Sequence, residues 1–344
     1  MPRFDKWKAQ YLKELKFFKK EYVTLSEIFN RFQNYDGYRK WRPKPLLIKE
    51  DLFVFEDVAE MGYRMPCSRQ TMSFGEVVAT VETLARFHAQ SYIYEEKMSK
   101  ILNRPYRIWE DFSEFLQEPA QAQSWRDIGK NAVISLLKQY SKYKDMQNWY
   151  NNIDKIIMII FEKALHLMSP SSKYRNVVIH RDLWSNNIFL KMNEEGKTHA
   201  LLVDFQTVLY CPPLLDVSSF IYFNTTRDFR EKNIEKVLCF YKQVLSDELI
   251  LENIDPTMFI DDDSFSEAYN ESLVFAITQA ALILPMVCME EDKKKEFFFN
   301  PKKSKRMSEV SRSEEFIQIA KEDACYRTRV MELLDEIVER YFND

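Results

Sequence analysis

Residues 177–204 constrain the fold of this chain more than any other segment. The segment is typical of a short buried strand, a polar loop, a second strand, a turn and a third strand. The third strand, apolar from residue 200 to 203, leads directly into Asp204. The loop contains the polar residues His180, Arg181, Asp182 and Asn187. One strand–loop–strand unit therefore carries an acid, an amide five residues later and a second acid.

This spacing of polar residues suits phosphoryl transfer. That reaction needs an acceptor hydroxyl held in line, metal on the phosphates and stabilisation of charge, with little covalent chemistry from the protein. Asp182 is placed to accept the hydroxyl proton, and His180 is placed to brace the loop by hydrogen bonding. Asn187 and Asp204 offer the oxygen ligands that magnesium prefers. The pattern H-R-D-x-x-x-x-N, followed by a strand ending in Asp-Phe, therefore predicts a site for ATP and Mg²⁺.

Length and composition bound the class of protein. A chain of 344 residues suits one large domain or two lobes. The net charge of −4 argues against a general nucleic-acid binder, so no nucleic-acid partner is expected. The five cysteines include no C-x-x-C pair, which argues against a disulfide framework or a zinc site. We therefore expect a cytoplasmic protein.

No membrane association is expected either. The first ten residues are charged and lack the apolar core of a signal peptide. The longest apolar run, residues 273–289, is short for a bilayer span, which needs roughly 20 residues. It also contains Thr278, Gln279 and Pro285. We predict that this run forms a buried helix.

The N-terminal part predicts one helix followed by a small sheet. Apolar residues recur at steps of three and four over residues 4–32, which predicts a long amphipathic helix with Glu21 beside its apolar stripe. Two strands are predicted at 45–48 and 52–56, followed by a connector over residues 56–58. The oligomeric state is not indicated by any of these patterns.

The rest of the chain predicts a mainly helical body. Ser73 and Glu76 form a capping-box pattern that opens a helix. His88 lies on the apolar face of that helix and is interpreted as a core histidine. The basic residues between 293 and 306 are interpreted as a solvated loop. Further helices are predicted at 126–143, 147–168, 214–224, 230–246, 264–284, 307–320 and 324–342.

The central motif resembles that of a known family. H-R-D-L-W-S-N-N together with L-V-D-F-Q is similar to the ecdysteroid-kinase-like, or CHK-kinase-like, proteins typical of insects. These belong to the choline kinase and aminoglycoside phosphotransferase group of the protein-kinase-like fold. The resemblance extends over residues 2–342 and includes the stretches 18–21, 54–58, 84–91 and 214–217.

The resemblance implies an α+β, bilobal protein-kinase-like fold. Residues 1–58 would form a truncated small N-terminal β lobe, and residues 59–344 a large, mainly helical C-terminal catalytic lobe. It further implies that Asp182 is the catalytic base, that Asn187 and Asp204 bind metal, and that Asp216 has a structural role. The nucleotide would be bound by Asp204 and, through backbone groups on the adenine side, by the connector residues Glu56, Asp57 and Val58.

Glu21 is expected, by the same resemblance, to pair with an ATP-binding lysine. The family's lysine strand and nucleotide-covering loop precede the helix that carries this acid, and no glycine occurs here before Gly37. Two explanations stay open: a truncated gene model of an active kinase, or a natural short form with weak or no catalysis. The missing lysine puts catalysis in doubt, because it would orient the phosphates.

Two functions are therefore predicted. The first is an ATP- and magnesium-dependent kinase that phosphorylates a small-molecule alcohol, such as an ecdysteroid-like steroid or a choline-like or xenobiotic compound. Trp184 and Gln206 replace a lysine and a glycine of protein kinases, and no A-P-E follows, which favours a small acceptor. The alternative is a catalytically weak or inactive pseudokinase that binds nucleotide or a small hydrophobic ligand.

Overall fold

The computed structural model describes residues 13–33, 35–119, 122–259 and 261–342. The helices are α1 Phe17–Val23, α2 Phe74–Leu102, α3 Trp109–Phe112, α4 Ala122–Tyr140, α5 Trp149–His166, α6 Leu214–Asn224, α7 Arg227–Leu251, α8 Asp262–Val287, α9 Glu291–Phe299, α10 Pro301–Glu309, α11 Ser313–Glu322 and α12 Ala324–Tyr341. The strands are β1 Pro45–Lys49, β2 Leu52–Phe55, β3 Val177–Ile179, β4 Ile188–Met192, β5 Thr198–Leu202 and β6 Leu209–Cys211.

The strands form short antiparallel pairs: β1 with β2, β3 with β6, and β4 with β5. In the last pair Ile188 is opposite Leu202, and the intervening turn places Gly196 at a φ of 79°, a conformation that glycine adopts without strain. The predicted strand–loop–strand–turn–strand order is confirmed. Strand β6 was not predicted; it pairs with β3, the strand that leads into the polar loop.

The chain divides into two compact units. The first, called the loop unit because it holds residues 177–204, comprises Phe17–Glu118 and Leu167–Leu273. The other, called the helical unit, comprises Pro119–His166, Val274–Asp344 and the described residues before Phe17. These units do not follow the predicted lobes at 1–58 and 59–344, which stay a prediction.

Helix α2 is the central element of the loop unit. Ser73 and Glu76 form the predicted capping box at its start, and α2 packs against α7 and β5. Thr83 Oγ1 donates to the carbonyl of Ala200 at 3.1 Å, and Ser91 Oγ accepts from the backbone N–H of Val178 at 3.0 Å. Strands on both sides of the polar loop are thus tied to one helix.

A cluster of aromatic rings fills the core of the loop unit next to α2. Phe29 lies 4.9 Å from Trp41 and 4.8 Å from Phe205, between ring centroids, with edge-to-face geometry. Trp41 lies 5.0 Å from Phe87 of α2. Each such pair stabilises by about 0.5–1.5 kcal/mol beyond area burial. Because Phe205 follows Asp204, this cluster fixes the end of the third strand of the motif.

The helical unit has its own core. Helix α4 packs against α5, α10, α11 and α12, and Gly129 on α4 lies so close to Leu282 that an added Cβ would come within 2.3 Å of its side chain. The guanidinium of Arg312 lies over the ring of Trp125, 4.6 Å from its centroid. The unit is therefore closely packed at its helix contacts.

The apolar run at 273–289 forms the second half of α8, as predicted. By length and composition alone, residues Asp263–Val287 resemble a membrane span, but 72% of the most apolar window is buried inside the protein. Core helices of soluble proteins meet the same criteria. The buried-helix prediction is confirmed.

Other sequence predictions have mixed outcomes. The α+β, mainly helical character is confirmed. The start of the predicted helix at 4–32 lies outside the described residues, and its later part contains α1 followed by a π-helical segment, Thr24–Ile28. The solvated-loop prediction for the basic residues between 293 and 306 is wrong, because they lie on α9 and α10, where i,i+3 and i,i+4 ion pairs support helix.

The capping box at α2 provides a test of the fold. We expect Ser73→Ala to lower the free energy of unfolding by about 1 kcal/mol, because the side-chain acceptor at the helix start is lost. Ser73→Asn keeps an acceptor at this position and is the matched control, with a change of a few tenths of a kcal/mol. Urea denaturation measures both. Equal losses in the two variants would contradict the capping role.

Candidate active site

The buried carboxylate of Asp216, on α6, holds the start of the polar loop. It accepts the backbone N–H of His180 at 2.6 Å on Oδ2 and that of Arg181 at 2.7 Å on Oδ1. His88 Nε2 lies 3.1 Å from Oδ2, and His88 Nδ1 lies 2.7 Å from the hydroxyl of Tyr241. Asp216 thus has a structural position, as expected, and His88 is a core histidine bonded on both ring nitrogens.

His180 braces the loop from inside. Its Nε2 lies 2.8 Å from the carbonyl oxygen of Val203, and the backbone N–H of Asp182 donates to its Nδ1 at 3.3 Å. Burial lowers the pKa of His180, which favours the neutral ring with Nε2 protonated and Nδ1 accepting. The ring therefore links the loop to the strand that leads to Asp204.

Asp182 lies at the centre of the loop, beside Asn187. Asn187 Nδ2 donates to the Asp182 carbonyl at 2.8 Å and to Asp182 Oδ2 at 3.3 Å. Within the described part of the chain, the buried Oδ1 of Asp182 has no hydrogen-bond partner. Burial raises the pKa of Asp182. One carboxylate oxygen is thus fixed by the amide while the other is left without a protein donor.

Asn187 and Asp204 come together at the end of the β4–β5 pair. The backbone N–H of Val203 donates to the Asn187 carbonyl at 3.0 Å, so Asp204 lies one residue beyond the partner of Asn187. Asp204 has a φ of 67°, a conformation that costs a non-glycine residue about 1–3 kcal/mol and is typical of functional sites. Burial, followed by the charge of Asp182, raises the pKa of Asp204.

Glu21 approaches the same acids from α1. Its carboxylate accepts the backbone N–H of Phe205 at 3.1 Å. Burial, and next the charge of Asp204, raise the pKa of Glu21 to about 7. In the described residues its hydrogen-bond partner is therefore the backbone beside Asp204, whereas the resemblance pairs it with a lysine.

A cavity of about 270 Å³ adjoins Asp204. It is lined by the predicted connector residues Glu56, Asp57 and Val58 and by the apolar residues Phe189 and Leu202. The remaining described lining residues are Arg42, Pro43, Phe55, Ala59, Val203, Asp204 and Phe205. The cavity thus joins a mainly apolar space to the acid at the end of the motif.

The connector side chains have local partners of their own. Burial favours a higher pKa for Glu56, but hydrogen bonds from Lys40 and from the backbone of Lys44 outweigh it and lower the pKa. Asp57 Oδ1 accepts the N–H of Ala59 at 2.9 Å, an Asx turn. Since both carboxylates are occupied in this way, the connector is positioned to meet a ligand through its backbone.

The oxygen atoms that the polar loop offers fit a magnesium ion bound partly by the protein and partly by phosphate. Among the residues that the structure describes, no three His, Cys, Asp or Glu side chains group closely enough for an all-protein metal cage. Magnesium is usually bound through one or two carboxylates together with substrate phosphates. The carboxylate of Asp204 and the amide oxygen of Asn187 are ligands of this kind, and the unpartnered oxygen of Asp182 is left for an acceptor hydroxyl. We judge that these residues fit Mg²⁺ bound to a nucleotide.

A charged cluster beneath the loop was missed from the sequence. Arg181, buried and at a φ of 73°, forms an ion pair with the half-buried Glu118. Lys20, next to Glu21 on α1, is buried and donates to the carbonyl of Gln117 at 3.1 Å. Burial, and next the charge of Arg181, lower the pKa of Lys20 to about 7. No local spacing indicates these pairings, because the partners lie far apart in the chain.

Comparison with known proteins agrees with the motif. The model of the ecdysteroid kinase-like family matches residues 1–253. No curated protein matches the chain. Among solved structures, an ethanolamine kinase from Plasmodium vivax is similar at a TM-score of 0.39 and 10% identity, over 91% of this chain and 73% of that one. The family match covers well over half of the chain and confirms the predicted family.

The buried anchor of the loop can be tested by Asp216→Asn. We expect a loss of about 2–3 kcal/mol in the free energy of unfolding, because an amide nitrogen would face one of the two backbone N–H groups. The control is Asp335→Asn, where a half-buried carboxylate accepts a hydrogen bond from Ser141 Oγ at 2.6 Å and another from the backbone of Lys142. Urea denaturation compares them, and equal losses would contradict a special role for Asp216.

The buried amine of Lys20 predicts that the free energy of unfolding depends on pH. Its pKa is lowered from 10.5 to about 7 on folding, so between these values the unfolded chain binds more protons and stability rises with pH. Lys20→Met should remove about 2 kcal/mol of the rise in unfolding free energy between about pH 7 and pH 9. The exposed Lys19 on the same helix, changed to Met, should leave the rise intact. If the unfolding free energy of Lys20→Met rises with pH as much as that of the wild type, the lowered pKa of Lys20 is contradicted.

Proposed function

The chain belongs to the ecdysteroid kinase-like family, and from this premise we propose that it is an ATP- and magnesium-dependent kinase of a small-molecule alcohol. The family supports a small-molecule, kinase-like phosphotransferase in general. The proposal adds the nucleotide, the metal, the hydroxyl acceptor and the roles of individual residues. We also propose that the protein is cytoplasmic and has no nucleic-acid or membrane partner.

One observation carries the proposal. Two half-buried carboxylates of raised pKa, Asp182 and Asp204, lie within electrostatic range of each other, and Asp204 also lines a 270 Å³ cavity. Burying like charges together is unfavourable unless a cation or protons neutralise them. A magnesium–nucleotide complex supplies that positive charge, and the mainly apolar cavity accommodates a base. If the two acids were purely structural, neither their proximity nor the adjoining cavity would be explained.

Asp182 is proposed as the catalytic base. Its Oδ2 is held by the Asn187 amide, while its Oδ1 has no hydrogen-bond partner in the described residues and can accept the proton of an acceptor hydroxyl. Burial raises its pKa, which makes proton acceptance more favourable than for an exposed aspartate. His180 acts through the loop, because its ring fixes the backbone of Asp182 and Val203.

Asn187 and Asp204 are proposed to hold magnesium. When bound, Mg²⁺ would supply charge stabilisation on the transferring phosphate. The residues of the chain orient this site: Val203 joins Asn187 to the strand end, and Gln206 Nε2 donates to Asp204 Oδ2 at 3.2 Å. Glu21, bonded to the backbone of Phe205, sets the position of the segment that follows Asp204.

The nucleotide base is proposed to lie in the 270 Å³ cavity. Val58 is buried on its wall, and Phe189 and Leu202 provide apolar surface. Glu56 and Asp57, whose carboxylates are bonded elsewhere, would contact adenine through the backbone. The acceptor class follows from the family: an ecdysteroid-like steroid, or a choline-like or xenobiotic alcohol.

The position of Glu21 favours a second candidate function, that of a nucleotide-binding pseudokinase. Glu21 bonds to the backbone beside Asp204, and its pKa of about 7 reflects burial near another acid. A carboxylate cannot supply the positive charge that stabilises the phosphates of ATP during catalysis. In this alternative the chain binds nucleotide or a small hydrophobic ligand without transferring phosphate.

Phosphate transfer from ATP to a panel of hydroxylated steroids and choline, with and without Mg²⁺, tests the proposal. Asp182→Asn should reduce transfer by about 10²–10⁴-fold, because proton acceptance by the carboxylate is lost. The exposed helix residue Asp228, changed to Asn, is the control and should retain full activity. Equal transfer by Asp182→Asn would rule out Asp182 as the base. Nucleotide binding without transfer by the wild type would favour the pseudokinase.

A further inference from the structure

Arg42 occupies an unusual position for a charged side chain. It is 4% exposed and lies on the wall of the 270 Å³ cavity that also contains Asp204. Of the described residues that line this cavity, Arg42 is the only one with a positive charge. A basic side chain on this wall is not needed to bind adenine, which is uncharged. Its charge is instead suited to an anionic part of a nucleotide.

The backbone around Arg42 is fixed to the motif. The carbonyl of the preceding residue, Trp41, accepts the backbone N–H of Leu202 at 2.9 Å, so this segment is bonded to the strand that leads to Asp204. Pro43 follows, and its ring restricts the backbone dihedral on the other side. Arg42 is thus positioned by the same strand that positions the proposed metal ligand.

The side chain is oriented by aromatic rings. The guanidinium carbon of Arg42 lies 5.3 Å from the ring centroid of Phe29 and 5.0 Å from that of Trp41. Contacts of this kind with aromatic rings restrict the side chain, and a guanidinium carries N–H donors that suit oxygen anions. Both rings belong to the cluster that contacts Phe205, the residue after Asp204.

From this geometry we propose that Arg42 binds the polyphosphate of the nucleotide in the cavity. The inference rests on the proposed nucleotide site and adds to it a specific cationic contact. Arginine is well suited to this role, because its fork of N–H donors matches phosphate oxygens. Arg42 would thereby discriminate nucleotides from the corresponding nucleosides.

The electrostatics of Arg42 agree with an anionic ligand. Burial lowers its pKa to about 10, which shows that the protein interior disfavours the charged form. A phosphate bound beside the guanidinium would favour its charged form. Arg42 also borders a second cavity of about 460 Å³, with Tyr35, Lys40 and Lys44 on its wall. The experiment therefore has to separate a nucleotide contact from a role at that second cavity.

Calorimetry can distinguish the two roles by measuring the affinity of the intact chain for Mg²⁺–ATP and for adenosine. Arg42→Gln should weaken ATP binding by about tenfold or more and leave adenosine binding within about twofold, because only ATP carries phosphates. Arg42→Lys, which keeps a charge, should retain part of the preference for ATP. The exposed Lys44, changed to Gln, borders only the second of these cavities and should leave the ratio of the two affinities unchanged.

The outcomes decide between clear alternatives. Equal weakening of ATP and adenosine by Arg42→Gln would overturn the inference, since it would show a structural role in the cavity wall. Unchanged ATP binding would also overturn it and leave the proposed kinase function intact. Absence of binding of either ligand to the wild type would overturn the nucleotide site itself. If Arg42→Gln does not fold, Arg42→Met and Arg42→Lys give the same ratio of affinities, with Met expected to lose the preference for ATP.

Discussion

The hydrogen bonds from two successive backbone N–H groups to the buried carboxylate of Asp216 are the interaction on which the site depends. They fix His180 and Arg181, and they hold Arg181 in a positive-φ conformation. A loop that changes direction in this way is unfavourable by itself, so a buried charged acceptor has to compensate for the strain. With the loop start fixed, β3 and β6 support it from below, and the side chain of Asp182 lies next to Asn187.

A second constraint is the concentration of acids around that loop. The pKa values of Asp182, Asp204 and Glu21 are all raised, first by partial burial and also by another carboxylate close to each of them. An apolar replacement of similar size would be more favourable for stability, since isolated buried charges are costly. The proposed cationic ligand would explain why three acids lie together here. Together with the family and the adjoining cavity, this supports the assignment of magnesium and nucleotide to the same place.

The sequence predicted the parts of the site that follow from local pattern. The strand–loop–strand order around Asp182 and Asp204 is present as expected, because strand alternation and the spacing of polar residues are local properties. The capping box at Ser73 and the core position of His88 follow from helical periodicity in the same way.

What the sequence did not predict depends on long-range contacts. The pairing of Arg181 with Glu118, and the contact of Lys20 with the carbonyl of Gln117, join residues that are 63 and 97 positions apart. The cationic wall at Arg42 likewise requires that residues 41–43 pack against β5, which no spacing rule indicates. The helices at 291–299 and 301–309 were missed because a high density of charge resembles a solvated loop, although their ion pairs have helical spacing.

The magnesium dependence of ATP binding, measured by calorimetry on the wild type and on Asp204→Asn, tests the account most directly. If the buried acids form a metal–nucleotide site, Mg²⁺ should tighten ATP binding to the wild type by about tenfold or more, and Asp204→Asn should lose that effect. Adenosine binding should be insensitive to Mg²⁺ in both proteins. An equal effect of Mg²⁺ on ATP binding in the two proteins, or none in the wild type, would contradict the account.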